Sequence, residues 1–223
     1  MRRFALLLLL CAPAWCADPL DDILNKLDHA AQSFRGMTAD LKQTAHTAVI
    51  NEDNVESGTI RMKRARPGET RMLVEFREPD PKMVQLQGQT LDIYLPKIKT
   101  VQEYSLGKNS NLLEQFLLLG FGTTRKDLSA ANEIRLGGAE TLNGRSAVRL
   151  ILTPKSKEVL QRVQKIELWL DPQTGFPLQH KIHQAGGDYQ LFVFENVRMR
   201  PDLSDSDLHL KLPRDVKIEK PQQ

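Results

Sequence analysis

The sequence has little of the features that mark several specialised protein classes. Its 223 residues include two cysteines, 6% aromatic residues, and 31 basic against 28 acidic side chains, for a formal net charge of +3. So small a charge, spread along the whole chain, does not indicate a nucleic-acid partner. With 40% hydrophobic and 26% charged residues, wholesale disorder, collagen-like repeats and a polytopic membrane protein are excluded. The composition predicts a globular protein of one large domain or two small ones.

One long apolar run is present, at the N-terminus. Residues 4–14 are apolar and include five consecutive leucines, with Arg2 and Arg3 before them and small residues after them. This order is typical of a secretory signal peptide, and the run would span only about half of a bilayer core. We therefore expect residues 1–17 to be a signal peptide and residues 18–223 to form a single domain. Cleavage is expected after Ala14, Cys16 or Ala17.

Both cysteines, Cys11 and Cys16, lie within this signal peptide. The exported chain would therefore have no internal disulfide, and it would be almost neutral once Arg2 and Arg3 are removed. Its stability must then come from a hydrophobic core, which a chain of this length can supply. Export without disulfides suits a bacterial periplasm of the Gram-negative type.

No catalytic motif is found. The sequence lacks Gly-x-Ser-x-Gly, a phosphate-binding loop, a dinucleotide fingerprint and His-Glu-x-x-His. His180 and His183 are three residues apart in a predicted strand, so they should point to opposite faces and cannot share a metal ion. Asp202, Asp205 and Asp207 lack the spacing of a calcium loop. We expect no enzyme activity, no catalytic residues, no metal site and no cofactor.

The periodicity predicts one helix followed by many strands. Apolar residues at helical spacing follow Asp18 and Pro19 as far as Phe34, which predicts an amphipathic helix ending at Gly36. A short, very apolar helical segment is predicted over residues 112–121, and a further short helix over residues 124–131. Elsewhere the period is two, and hairpin turns separate the runs. Strands are predicted at residues 37–42, 58–64, 71–77, 83–87, 91–95, 100–106, 133–136, 146–152, 163–170, 178–184 and 189–197.

This pattern indicates a mainly β fold with helices (α+β), built as a large, strongly curved antiparallel sheet with helices on one face. The alternation collects apolar side chains on one face of the sheet. Either that face packs solidly under the helices or it encloses a cavity, and the pattern is compatible with both. Its members include Ile60, Met62, Met72, Val74, Phe76, Val84, Leu86, Ile93, Leu168, Leu170, Ile182, Phe192 and Phe194.

One arginine interrupts this apolar face. Counting alternately from Ile60 through Met62 places Arg64 inward. A cation there needs acceptors, and the free carbonyls at the C-terminus of a covering helix would supply them. If the strand has already ended, Arg64 lies in solvent instead.

The order of these features resembles the periplasmic outer-membrane lipoprotein carriers, the LolA-type or lipoprotein-sorting family. The resemblance rests on three stretches behind the leading helix: Ala-Asp-Leu-Lys-Gln-Thr at 39–44, the glycine-led strand from Gly58 into Arg-Pro-Gly at 66–68, and Gln-Gly-Gln-Thr-Leu-Asp-Ile-Tyr-Leu-Pro at 87–96. Met72 departs from the pattern, because typical carriers have tryptophan in this strand.

The resemblance implies an unclosed antiparallel barrel whose helical lid covers a hydrophobic cavity. The apolar face would line an acyl-binding cavity, and an arginine that bonds to lid carbonyls would fall on Arg64 or Arg66. The lid would carry Leu112, Leu113, Phe116, Leu117 and Phe121.

The function implied is that of a periplasmic carrier, which binds the acyl chains of lipoproteins or related lipids and moves them from the inner to the outer membrane. The expected partners are lipidated protein or other acylated lipid cargo, an inner-membrane release complex and an outer-membrane acceptor. No nucleic acid is expected, and the protein should be a monomer. Two alternatives stay open: a lipid-sensing or partner-binding domain that does not shuttle, and a carrier of free lipid or glycolipid.

Overall fold

The computed structural model describes residues 18–66, 69–106 and 119–221. Twelve strands form a single sheet in the order β12-β6-β5-β4-β3-β2-β1-β11-β10-β9-β8-β7. The sheet is curved and unclosed, which confirms the predicted fold class. The strands are β1 (Gly36–Thr47), β2 (Glu52–Arg66), β3 (Glu69–Glu78), β4 (Lys82–Gln87), β5 (Thr90–Leu95), β6 (Thr100–Ser105), β7 (Asn132–Leu142), β8 (Arg145–Pro154), β9 (Val163–Leu170), β10 (Pro177–Gln184), β11 (Tyr189–Met199) and β12 (Lys217–Glu219).

Three α-helices occur among the described residues: α1 (Pro19–Ser33), α2 (Arg125–Ala131) and α3 (Lys157–Leu160). The side chain of Asp18 caps α1 by accepting from the backbone N–H of Leu20 at 3.0 Å. This helix ends three residues before the predicted Gly36, because Phe34 has already left the helical conformation, with φ −62° and ψ 123°. The four-residue helix α3 was not predicted.

The sheet consists of two antiparallel meanders, β1 to β6 and β7 to β11, that join where β1 pairs with β11. Leu41 lies opposite Phe194 at this joint, and the Asn196 amide donates to the Asp40 carboxylate at 2.7 Å. The described edges of the sheet are β12 and β7, so the sheet does not close on itself.

The C-terminal segment crosses the sheet and adds a strand to its edge. Asp205 pairs with Lys63 at 3.1 Å and with Arg71 at 2.8 Å. The backbone N–H of Leu210 donates to the Gln85 side chain at 2.9 Å. Beyond it, β12 runs parallel to β6, the one parallel pair in the described sheet. The sequence pattern predicted neither this strand nor its pairing.

The core lies between the inner face of the sheet and the helices. Among its members, Leu27 of α1 and Leu150, Leu168 and Leu170 of the sheet are fully buried. None of the helices in the described ranges is long and apolar enough to cross a membrane.

Candidate functional site

An apolar cavity of about 140 Å³ lies on the inner face, between the β1 to β5 strands and β11. Part of its wall is a row of side chains across three neighbouring strands, in which Val74 is paired with Val84 and Val84 with Ile93. Gln43 and Lys82 are the polar residues of the lining. The full lining is Leu41, Gln43, Ile60, Met72, Val74, Phe76, Lys82, Val84, Ile93, Phe192 and Phe194.

Eight of the thirteen residues assigned to the acyl cavity from the sequence line this space. The other five, Met62, Leu86, Leu168, Leu170 and Ile182, are buried in the core beside it. Three lining residues were missed. Leu41 and Gln43 continue the alternation of β1 and could have been found from it, whereas the charge of Lys82 hid that residue. Whether the space takes an acyl chain stays a prediction.

The charge of Lys82 is balanced at the cavity wall. Its ammonium lies 2.7 Å from a carboxylate oxygen of Glu56 and 4.9 Å from the centre of the Phe76 ring. The aliphatic stem of a lysine held in this way adds apolar surface to the wall, and the cation is not free to bind an anionic ligand.

The end of the predicted lid is packed into the core. Leu112, Leu113, Phe116 and Leu117 lie outside the described residues, whereas Phe121 is described and is 2% exposed. The Phe121 ring lies 5.0 Å from the ring of Phe194 in an edge-to-face arrangement, and 6.2 Å from the ring of Phe34. Phe121 therefore connects the end of this segment to the cavity wall, because Phe194 lines the cavity.

Arg64 holds the chain just after Phe121. Its Nη2 donates to the carbonyl oxygen of Gly122 at 2.9 Å, and its guanidinium lies 5.9 Å from the centre of the Phe34 ring. Gly122 has φ +73°, and a Cβ added there would lie 2.7 Å from Arg64 Nη2. A glycine at this position therefore allows both the left-handed backbone and the close approach of the arginine.

Arg66, the other latch candidate, lies on the surface. Its side chain is 75% exposed, and its Nε lies 3.1 Å from Glu69. Within the described ranges, only Arg64 of the two bonds to the end of the lid segment. The latch role itself stays a prediction.

His180 is the feature that sequence reasoning missed. Its side chain is fully buried on β10, and neither ring nitrogen has a hydrogen-bond partner among the described residues. The imidazole packs against the rings of Phe192 and Phe194, at 4.8 Å and 5.5 Å between centroids. Burial lowers the pKa of His180 to about 3, so the ring is neutral at physiological pH.

His183 points to the opposite face of the strand, as the odd spacing predicted. Its Nε2 lies 2.6 Å from Glu167, which also pairs with Arg149 at 3.1 Å. Burial alone would raise the pKa of Glu167, but the His183 hydrogen bond and the charges of Lys165 and Arg149 outweigh it, so the pKa of this carboxyl lies below its ordinary value. In the part of the chain that the structure describes, no group of three metal-ligating side chains could hold an ion.

Residues 32–210 match the protein family described as "Outer membrane lipoprotein carrier protein LolA". The chain belongs to the LolA family. Membership confirms the resemblance drawn from the sequence, and the curved sheet with its helices is the lipid-binding carrier fold of that family. A comparison with curated proteins gave no match.

Solved structures share the fold of this LolA-family chain at low sequence identity. MucB is 19% identical with a TM-score of 0.54, and the match covers 85% of this chain and 62% of MucB. The chain matched in the Pseudomonas aeruginosa MucA/MucB complex is 18% identical with a TM-score of 0.50, and the match covers 86% of this chain and 61% of that one. An uncharacterised conserved protein from Thermus thermophilus is 14% identical with a TM-score of 0.52, and the match covers 91% of this chain and 99% of that one. The match thus spans less than two thirds of the MucB chain.

Proposed function

We propose that this LolA-family protein is a periplasmic carrier. It binds the acyl chains of lipoproteins, or of related lipids, in the inner-face cavity and moves them from the inner to the outer membrane. An inner-membrane release complex and an outer-membrane acceptor would be its partners. The observation that carries the proposal is an apolar cavity whose wall residue Phe194 packs on Phe121, next to a backbone carbonyl held by Arg64.

The size of the cavity argues that binding requires the lid to move. A space of about 140 Å³ is close to the engineered 150 Å³ protein cavity that binds benzene, so it accommodates roughly six carbon atoms. A full acyl chain needs more room, and withdrawal of Phe121 from Phe194 would provide it. Each methylene then buried contributes about 0.8 kcal/mol, which is enough to favour the open form once several are bound.

The latch must be weak if cargo is to displace it. One hydrogen bond between a charged donor and a carbonyl contributes about 1.5–3 kcal/mol, and the Arg64–Gly122 bond is of this kind. Burial of a few methylenes offsets that amount. Arg64 would therefore bias the lid toward the closed form without preventing loading.

Native mass spectrometry of the protein purified from its own periplasm tests the carrier function. We expect a co-purifying acylated protein. The matched control is Val84→Phe, which adds bulk to a partly exposed lining position and should remove the bound mass while the chain stays folded. Free lipid or glycolipid in place of acylated protein would support the carrier of free lipid. If neither the unmodified protein nor Val84→Phe carries a bound mass, both the lipoprotein carrier and the carrier of free lipid are contradicted.

The latch is tested by comparing Arg64→Leu with Arg66→Leu. Loss of the bond to Gly122 should speed cargo loading about tenfold or more in Arg64→Leu, because that bond holds the lid closed. Arg66→Leu should load at the rate of the unmodified chain, since an exposed ion pair is worth little. Equal loading and release rates in all three proteins would overturn the latch.

A second candidate function is partner binding on the same fold, without shuttling. The MucB likeness favours it, because a complex of MucB with MucA has been solved. Affinity purification from crosslinked cells would then yield one fixed protein partner. Transfer of cargo between membrane fractions would contradict this candidate and favour the carrier.

A further inference from the structure

A buried imidazole with no hydrogen-bond partner is costly. Leaving a polar group unpaired in a protein interior costs about 1–3 kcal/mol, and His180 has two such nitrogens among the described residues. A leucine or phenylalanine at this position would fill the same space without that cost. The arrangement therefore points to a partner that the protein alone does not supply.

His180 lies in register with the cavity wall. A row of paired residues crosses the inner face from Gln43 on β1 to Phe192 on β11, then to His180 on β10 and Leu168 on β9. Gln43 and Phe192 both line the cavity. In this row the Phe192 ring lies between the cavity and the imidazole.

The same rings connect His180 to the lid. Phe194 contacts both the imidazole, at 5.5 Å, and Phe121, at 5.0 Å. When Phe121 withdraws to admit a ligand, Phe194 loses the neighbour that fixes its ring. Rotation of the Phe194 and Phe192 rings, which both pack on the imidazole, would then open a way to it from the cavity.

We propose that His180 is the internal polar contact for the neutral ester or amide carbonyl that joins an acyl chain to its cargo. This inference rests on the proposed acyl-binding function. The protonated ring nitrogen donates to the carbonyl oxygen of the ligand.

The chemistry of the surroundings selects a neutral linkage. The imidazole stays uncharged at physiological pH, and its described neighbours in the row are apolar or aromatic. A carboxylate or phosphate placed there would be buried without a cation, at a cost that one neutral hydrogen bond does not offset. An ester or amide carbonyl gains a donor and brings no charge inside.

The test separates the cavity from the polar contact by using two kinds of probe. Diphenylhexatriene is a pure hydrocarbon fluorophore and reports whether apolar space is available. Methyl laurate, with an acceptor only, and N-methyl-lauramide, with an acceptor and a donor, compete for the same space. Four proteins are compared: the unmodified chain, His180→Leu, His180→Gln, and His29→Leu as a control at an exposed histidine of α1.

Diphenylhexatriene should bind equally to all four proteins. Methyl laurate should bind His180→Leu roughly fivefold more weakly than the unmodified chain, which corresponds to one hydrogen bond. His180→Gln retains a side-chain N–H and should restore most of this affinity, and His29→Leu should behave as the unmodified chain. In the unmodified chain, adding methyl laurate should shift the ¹⁵N resonances of the His180 ring.

The outcomes distinguish the two proposals. If diphenylhexatriene fails to bind the unmodified chain, the acyl-binding function and the His180 contact both fall. If the hydrocarbon binds but methyl laurate and N-methyl-lauramide bind His180→Leu as well as the unmodified chain, the cavity stands and the His180 contact is overturned. A selective loss for the amide alone would assign an amide-linked chain as the ligand.

Discussion

The two halves of the inner face both carry apolar side chains but differ in how completely those side chains are buried. In the half formed by β8 to β10, Leu150, Leu168 and Leu170 are fully buried. In the half formed by β3 to β5, Leu86 is also fully buried, but Val84 and Ile93 stay partly exposed beside the cavity. We refer to them as the covered half and the open half.

Helices lie close to the covered half. This helix contacts β7, and the backbone of Lys26 lies so close to Gly175, in the turn between β9 and β10, that an added Cβ would be 2.5 Å from it. Helix α3 contacts β8 and β9. Helices thus pack against the covered half, whereas the apolar cavity lies in the open half.

Truncating one residue in each half should show the difference in packing most clearly. Leu168→Ala leaves a hole in a solid core and should lower the free energy of unfolding by about 2–5 kcal/mol. Val84→Ala removes a partly exposed side chain next to existing space and should cost about 1 kcal/mol or less. Urea denaturation measures both. Equal losses would show that the halves are packed alike.

The pH dependence of stability tests how completely the covered half excludes water. His180 has a pKa of about 3 in the folded protein against 6.5 when exposed, so between these values only the unfolded chain binds the proton. Stability should therefore fall as the pH falls, by about 1.4 kcal/mol per pH unit below 6.5. At pH 5 the loss should reach about 2 kcal/mol, measured as the free energy of unfolding.

His180→Leu is the reference for this titration, because other groups also change charge over the range. The variant should be more stable than the unmodified chain at pH 5, and the gap should narrow as the pH rises toward 7. Parallel stability curves for the two proteins would mean that water reaches the imidazole.

The smallest effect is expected at the contact between Arg64 and Gly122. Gly122→Ala should cost about 1 kcal/mol for a positive φ and should also displace Arg64, so that diphenylhexatriene associates faster. Gly144→Ala is the matched control, with φ +79° and no atom within 4 Å of an added Cβ. It should lose similar stability and leave the association rate unchanged. Faster association in both variants would assign the effect to general loosening.

Much of the fold followed from local patterns. Alternation located most strands, and counting from Ile60 predicted an inward Arg64, whose guanidinium donates to the Gly122 carbonyl. The odd spacing of His180 and His183 separated them onto two faces. These inferences succeed because the side-chain direction in a strand depends only on position along it.

The remainder depends on partners that are distant in sequence. β12 is three residues long, and its pairing requires the free edge of β6, which no local pattern reveals. Alternation also assigns Leu168 and Val84 to one face without saying that Leu168 is fully buried and Val84 is not. Lys82 reaches the cavity wall because Glu56 neutralises it, and the two lie on different strands.

The joint between the two meanders imposes an order on folding. Each meander can form from neighbouring hairpins, but β1 pairs with β11 through residues as far apart as Met37 and Met199, 162 positions along the chain. Contacts of such long range are slow to form, so the sheet cannot be completed until β11 has been synthesised. Until then the apolar sides of both meanders stay uncovered, and such exposed apolar surface is prone to aggregation.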